Sequence, residues 1–412
     1  MTFHRRQSLS PCAAATISSL AVAIAGDARA QCMYSVQIIE SPICPGNTTP
    51  LAYDINNHGH VCGEYSPCIG SSRPFFWSPE SGFVDIDLGE PGDHDAKSLN
   101  ESDSVVGEIA IDATDVRPYR WRWADGSIVV LNPLPDPPPP LPPPASHGSA
   151  QGISSDGTIV GSWGGVYLSP FSWLPEVEFS DLTGEVGYPG GQAYAINDAH
   201  WICGSADVAA KRFGWRGFVL TPEGCTILPT VDGGLTSEAH AIASNGLVCG
   251  WGMRPSNYVN YPRGFLWRNG RMEDVGSPDP LKPYSFALDV NALGQVVGEY
   301  GPGGSRGFLW QDGNFYYIKP LLASNPQGIT VGAGINDRGQ IIAWGGGVSL
   351  VLTPIRTRPG DATIDCKVDE RDVLAVIEFW GKEYELPDMP GDLNDDGVVN
   401  GVDLALVLGD WG

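Results

Sequence analysis

One pattern recurs seven times between residues 52 and 343: AYDINNHGHVCG, AKSLNESDSVVG, AQGISSDGTIVG, AYAINDAHWICG, AHAIASNGLVCG, ALDVNALGQVVG and GAGINDRGQIIA. The last residue of each falls at 63, 107, 161, 204, 250, 298 and 343, so the period is 43 to 54 residues. No other feature constrains the fold as strongly. A unit this short cannot bury its apolar face alone and must stack on its neighbours.

Each unit reads as four short strands. The first runs from the small residue to Asn, and the second is the apolar run through the closing Gly. Between them, NNHG, SSDG, ASNG, NALG and NDRG have the composition of tight hairpin turns, where Gly or Asn accepts positive φ. The third strand is RPFFW, RPYRW, SPFSW, RGFVL, RGFLW (twice) and VSLVL, and a fourth follows another turn, as in ADGSIVVL. Four strands per unit is the pattern of a propeller blade, with an open solenoid as the weaker alternative. Unit seven lacks a fourth strand, whereas YSVQII (34–39) precedes unit one without a partner. Lending that strand to the last unit would close a ring of seven blades and leave no unpaired edge.

The repeated residues then have architectural roles. Ala52, Ala96, Ala150, Ala193, Ala239 and Ala287, with Gly332 in the seventh unit, keep the inner strands small. Phe75, Tyr119, Phe171, Phe218, Phe265 and Phe308 alternate with Trp77, Trp121, Trp173, Trp267 and Trp310, which puts them on one sheet face to pack blade against blade. Carbohydrate stacking is the functional rival for these rings. Arg73, Arg117, Arg216, Arg263 and Arg306 precede them and are expected to stack on a Trp or pair with a neighbouring blade's Asp. The run PLPDPPPPLPPP (133–144) lacks the N–H groups of a central strand and reads as an exposed polyproline loop.

Residues 1–30 read as an export signal: Arg5-Arg6, an apolar stretch from Ala13 to Ala25, then ARA before Gln31. Whether export is general or twin-arginine stays open. No further stretch is long and apolar enough to span a bilayer. Cleavage leaves Cys32, Cys44, Cys62, Cys68, Cys203, Cys225, Cys249 and Cys366, an even number that permits disulfides without fixing their pairing. Cys62, Cys203 and Cys249 occupy a position filled elsewhere by Val or Ile, so they are expected as buried apolar residues. A net charge of −24 argues against nucleic acid as a partner.

A catalytic site should break the symmetry of the repeats. The unit-specific polar candidates are Asp93, His94, Asp95, His147, Glu238, His240, His58 and His60. A metal or acid–base site from His94, Asp95, His147 and Glu238 is conceivable if their loops share a rim. No hydrolase elbow, zinc-protease helix or phosphate-cradling motif is present, so no catalytic residue is assigned.

The last 53 residues differ in kind, with fourteen Asp or Glu against three Lys or Arg. Here GDATIDCKVDERDVLAVIEFWG (360–381) aligns without gaps on GDLNDDGVVNGVDLALVLGDWG (391–412). As a calcium loop the second copy offers Asp392, Asn394, Asp396, Asn400 and Asp403, with the Val398 carbonyl and a turn at Gly397. The first copy offers Asp361, Thr363, Asp365, Asp369 and Asp372, with the Lys367 carbonyl. Cys366 stands where the loop Gly belongs, which should weaken that site. Apolar spacing after each loop predicts a helix, and Pro before each loop excludes one there.

The repeats at 34–355 resemble HAF-type extracellular repeats, through the IN..G..vvG core and the following G/A-F-x-W strand. That resemblance implies a propeller-like extracellular module and no defined reaction. The tail, half an EF-hand twice over with Asp at position 12, resembles a type I dockerin. This implies calcium-linked folding, a cohesin-like partner, and partner choice influenced by Glu370-Arg371 and Gly401-Val402. The expected organisation is a signal peptide at 1–30, a mainly β seven-bladed propeller at 31–355, a linker at 356–359 and a small α-helical domain at 360–412. The expected role is a secreted or cell-surface binding and assembly protein. The alternative is a carbohydrate-active enzyme acting on polysaccharide.

Overall fold

The computed structural model describes residues 33–43, 50–131, 146–164, 168–175, 177–188, 190–208, 214–254, 261–277, 284–301, 306–323, 329, 331–355, 358–363, 367–382, 391–394 and 396–412. The expected export signal (1–30), the polyproline run (133–144), Cys32, Cys44, Asp365, Cys366 and linker residues 356 and 357 lie outside them.

The described chain is mainly β. Units one, four, five and six each form a four-stranded antiparallel sheet, within residues 50–85, 191–227, 237–274 and 285–317. Units two and three share one eight-stranded sheet, because Ser146 and His147 pair in parallel with Asp115 and Val116. Strand β1 (Tyr34–Ile39) is the outermost strand of the last sheet. It lies antiparallel to Val348–Pro354, in register from Tyr34↔Pro354 to Ile39↔Ser349.

Sheets pack face to face through the alternating aromatics. Phe75 and Trp77 bury against Ile342 and Val351 of the last sheet, and Phe308 and Trp310 bury against Cys249 and Leu266 of the unit before. These rings are architecture. The Phe/Tyr series is at most 2% exposed, which leaves no face for a sugar to stack on. Cys62, Cys203 and Cys249 are buried free thiols, as their apolar position predicts, and Cys68 is disulfide-bonded.

Two features explain the repeat more closely than turn chemistry does. In units one and three to seven a bulge follows the small residue, as between Ala52 and Asp54. Opposite it, a Cβ on Gly63, Gly107, Gly161, Gly204, Gly250 or Gly298 would stand 1.9–2.2 Å from a main-chain carbonyl of the first strand. Gly is therefore required there, and the bulge bends the inner strand at the ring's narrow end. Unit seven reverses the pair, with Gly332 facing Ala343.

The second feature is a relay of asparagines. Asn56 Oδ1 accepts from His58 N and His60 N of its own turn, while its Nδ2 donates to Asn100 O of the next unit at 3.1 Å. Asn100 donates to Ser154 O, Asn197 to Ala243 O and Asn291 to Asn336 O. Asn336 then donates to Asn56 O at 2.9 Å, across 280 residues, which joins the last unit to the first. Where unit five has Ala243 instead of Asn, Asn245 donates to Ala292 O at 2.8 Å.

The arginine expectation needs correction. Arg73 pairs with Asp85 at 2.9 Å and Arg263 with Asp274 at 2.9 Å, each on the adjacent strand of the same sheet. Third and fourth strands run antiparallel, so a carboxylate near the end of the fourth falls beside the start of the third.

Candidate functional sites

Among the described residues three α-helices lie outside the sheets: the short α1 (Thr183–Val186) and, in the tail, α2 (Glu370–Glu378) and α3 (Gly401–Gly409). The two tail copies fold alike. Asp369 caps α2 and Asn400 caps α3, each inside a reciprocal capping box with Asp372 or Asp403. Val376, Phe379, Val399 and Val407 interlock the two halves in one small core.

The residues at loop positions 1 and 12 (Asp361 and Asp372, Asp392 and Asp403) are all fully buried. Asp403 accepts from Leu393 N at 2.7 Å and Asn400 N at 2.8 Å. Asp372 accepts from Thr363 N at 2.9 Å and Asp369 N at 2.7 Å. In the second loop Asp392 Oδ2 accepts from Gly397 N at 2.8 Å, and Gly397 makes the turn at φ 84°. Asn394 Oδ1 accepts from Asp396 N, Asp396 Oδ1 from Val398 N, and Asn400 Nδ2 donates to Val398 O at 2.9 Å. Burial pushes the Asp392 carboxyl above its ordinary range, and the charges of Asp403 and Asp396 push the same way.

That is an oxygen-only donor set whose mutual repulsion a hard cation would relieve, so its chemistry fits calcium. Among the described residues, however, no three His, Cys, Asp or Glu side chains form a ready-made metal cluster. The loop depends on Asn and main-chain oxygens as well. The first loop is poorer, because Arg371 Nη2 holds Asp369 Oδ2 at 3.0 Å. Lys367 is partly buried, and Glu370, Gly401 and Val402 are exposed.

A cavity of about 630 Å³ lies where units one and two meet. It gathers Asp93, His94, Asp95 and His147, together with Glu64 and Glu108, which the sequence reading missed. His94 Nδ1 accepts from Ala110 N at 3.1 Å and its Nε2 lies 2.8 Å from Glu90 O, so both ring nitrogens are held by main chain. Lys97 Nζ stands 2.6 Å from Asp95. Glu108 Oε2 is buried without a hydrogen bond, although His147 Nε2 comes within ion-pair range at 3.4 Å. Burial, reinforced by Asp95, pushes Glu108 up to about 7. Glu238 is elsewhere, beside His240, which stacks on Tyr194 and accepts from Trp251 Nε1 at 2.8 Å. His58 and His60 stack on each other, and His60 bonds Asp103 at 2.8 Å. The four-residue site that the sequence left conceivable is therefore not assembled, because Glu238 lies beside His240 and outside this cavity.

At the asparagine end, a second opening is lined by residues of all seven units, among them Asp54, Glu101, Asp198, Asp289 and Asp337. Burial pushes Asp289 up to about 8 and Glu101 up to about 7. Asp54 and Asp337 are raised for the same reason. The sequence signal was the Asp at the bulge in units one and six, which takes the place of Ser, Gly or Ala.

Radial four-stranded sheets that bury one another in sequence, with the last closed by the first strand, define a β-propeller. No protein-family model matches the chain, and no curated protein does. Among solved structures the chain is similar to a streptogramin B lyase (10% identity, TM-score 0.49, 78% of this chain and 98% of that one). It is also similar to the β-propeller domain of the Trilobed protease from Pyrococcus furiosus (10% identity, TM-score 0.44, 72% and 91%). A third is XC5397 from Xanthomonas campestris, described as a gluconolactonase (12% identity, TM-score 0.37, 79% and 92%).

Proposed function

We propose that the chain is a secreted or cell-surface assembly protein, a seven-bladed propeller carried by a dockerin-like tail that binds calcium and engages a cohesin-like module. Counting the eight-stranded sheet as two blades gives the seven. The observation that carries the tethering role is the matched pair of loops, each with buried aspartates at positions 1 and 12 and each capping its own helix. When bound, calcium would supply the positive charge that relieves the repulsion among these carboxylates, and in the better loop Asp392, Asn394, Asp396, Asn400, Asp403 and the Val398 carbonyl would hold it. The α3 face supports a partner-binding role: Gly401, Val402, Ala405 and Leu408 are exposed at helical spacing and carry no charge.

Isothermal titration of the whole protein with calcium checks this reading. Uptake should fall by one site in Asp392→Ala or Asp403→Ala, each removing a buried ligand of the better loop. Unchanged uptake in both variants would refute calcium binding there. The enzyme alternative draws only on the cavity around Glu108, with its buried oxygen that accepts no hydrogen bond and its raised carboxyl, and polysaccharide would be its substrate.

A further inference from the structure

The repeats break symmetry at the cavity between units one and two. Of the seven units only the second has a lysine after the small residue of its first strand, Lys97; the others have Tyr, Gln, His, Leu or Ala there. Its ammonium group shows what the neighbouring side chains can hold. Lys97 Nζ lies 2.6 Å from Asp95 and 3.8 Å from Glu108, and it stands over the Tyr53 ring, 5.3 Å from the centroid. Tyr53 in turn donates to Glu64 at 2.7 Å.

One ammonium group is too few for the carboxyl groups gathered here. Glu64, Asp93, Asp95, Glu108 and Asp112 all line the cavity. Glu64 and Asp93 each give one oxygen to a donor of the chain, Tyr53 OH and Ser72 N. Glu108 Oε2 is buried and accepts no hydrogen bond; the nearest cationic candidate is Nε2 of the half-exposed His147, 3.4 Å away. A buried carboxylate oxygen without a donor carries a free-energy cost that a ligand's N–H would remove. Burial and Asp95 push this carboxyl up to about 7, and a cation arriving beside it would return it to the ionised form. Among the described residues no three His, Cys, Asp or Glu side chains form a metal cluster, so these groups do not converge on one point. They surround a space whose other lining includes apolar Pro91, Ile111 and Val116. At about 630 Å³ it is the size that encloses a small organic molecule.

We propose that this cavity binds a small organic cation, a primary amine on an aliphatic or saccharide frame, with its ammonium group donating to Glu108 Oε2. The proposal goes beyond the tethering role and holds whether or not the tail takes calcium. An ammonium group has three donors and no acceptor, which suits carboxylates that face one space from different strands and loops. The apolar side chains then cover the carbon frame, and Lys97 keeps Asp95 occupied, which leaves Glu108 as the acceptor for the ligand.

Isothermal titration of the full-length protein with hexamethylenediamine, glucosamine and glucose tests this. Both amines should bind and glucose should not, and the tighter amine tells whether the frame is aliphatic or saccharide. Glu108→Gln keeps the shape and removes the charge, and should weaken amine binding roughly tenfold. His147→Lys changes a half-exposed side chain, so it does not disturb a buried position. It places a resident cation within reach of Glu108 and should weaken amine binding by a similar factor. Glu299→Gln alters the same repeat position in unit six, outside the cavity, and should stay within about twofold of the parent. Glucose binding as tightly as glucosamine would overturn the ammonium reading. So would a parent protein that binds neither amine. Amine affinities within about twofold of the parent in both Glu108→Gln and His147→Lys would overturn the site, because the cation would then sit elsewhere on this acidic chain.

Discussion

The ring and the tail stabilise a chain in opposite ways. The ring buries a continuous series of aromatic and aliphatic side chains between sheets, and its polar groups are spent on main-chain ladders and the asparagine relay. The tail has a core of a few side chains and places four aspartates in complete burial. One part can stand on apolar burial. The other buries charge beside a small core that offsets the cost poorly, so neutralising that charge should stabilise it.

The largest effect should come from breaking the ring where its ends meet. Removing Tyr34–Ile39 strips the last sheet of its outer strand, exposes the edge at Val348–Pro354 and empties the place of buried Tyr34 and Ile39. Stability of the whole propeller, read by denaturant unfolding, should fall by about 4 kcal/mol or more. A loss under about 1 kcal/mol would mean that closure contributes little.

Chelation should separate the two parts. In excess chelator, hydrogen exchange at α2 and α3 should rise by at least about tenfold, while amides of the inner strands keep their protection. Equal protection of the tail with and without calcium would place its aspartates in a purely structural role. Residual protection of α2 over α3 would mark the ring's grip on the first copy, since only α2 bonds to Asn245 and Asp312.

What the sequence made legible follows from period and composition. Strand pairs, turns, aromatic packing faces and closure by residues 34–39 all rest on spacing that one chain displays seven times. The bulge was hidden because it is one residue long and shows only as a Gly facing an Ala. The asparagine relay was hidden because Asn in a turn already has a local explanation, and nothing in spacing tells a side chain that bonds its own turn from one that also reaches the next unit. The cavity at Glu108 escaped for a related reason. Glu64, Glu108 and Glu299 hold the same repeat position, and only the fold shows which of them faces a void. In the tail, spacing singled out the aspartates that the fold buries, Asp361, Asp372, Asp392 and Asp403, but the role of Arg371 depends on a surface some sixty residues away in sequence.

The smallest effect concerns the ring's own buried charge, where ring and tail come closest in character. Asp289 Oδ1 accepts from Val290 N at 2.8 Å and Oδ2 from Ile335 N at 2.7 Å, yet burial and the nearby Asp54 still hold its carboxyl up to about 8. The unfolded chain would titrate it in the ordinary carboxylate range. Between roughly pH 4 and pH 8 the folded state therefore keeps a proton that the unfolded state has released. Stability from this group is fully present below the unfolded value and is lost as pH rises through the folded one, the reverse of a salt-bridged aspartate. Asp289→Asn removes the titration but also turns an amide N–H toward Ile335 N, so its absolute stability carries a constant offset. The slope does not. Between pH 5 and pH 7 the parent protein should lose stability more steeply than the variant, by up to about 1 kcal/mol per pH unit, as denaturant midpoints at several pH values would show. Parallel slopes would mean that Asp289 is ionised in the folded ring across that range.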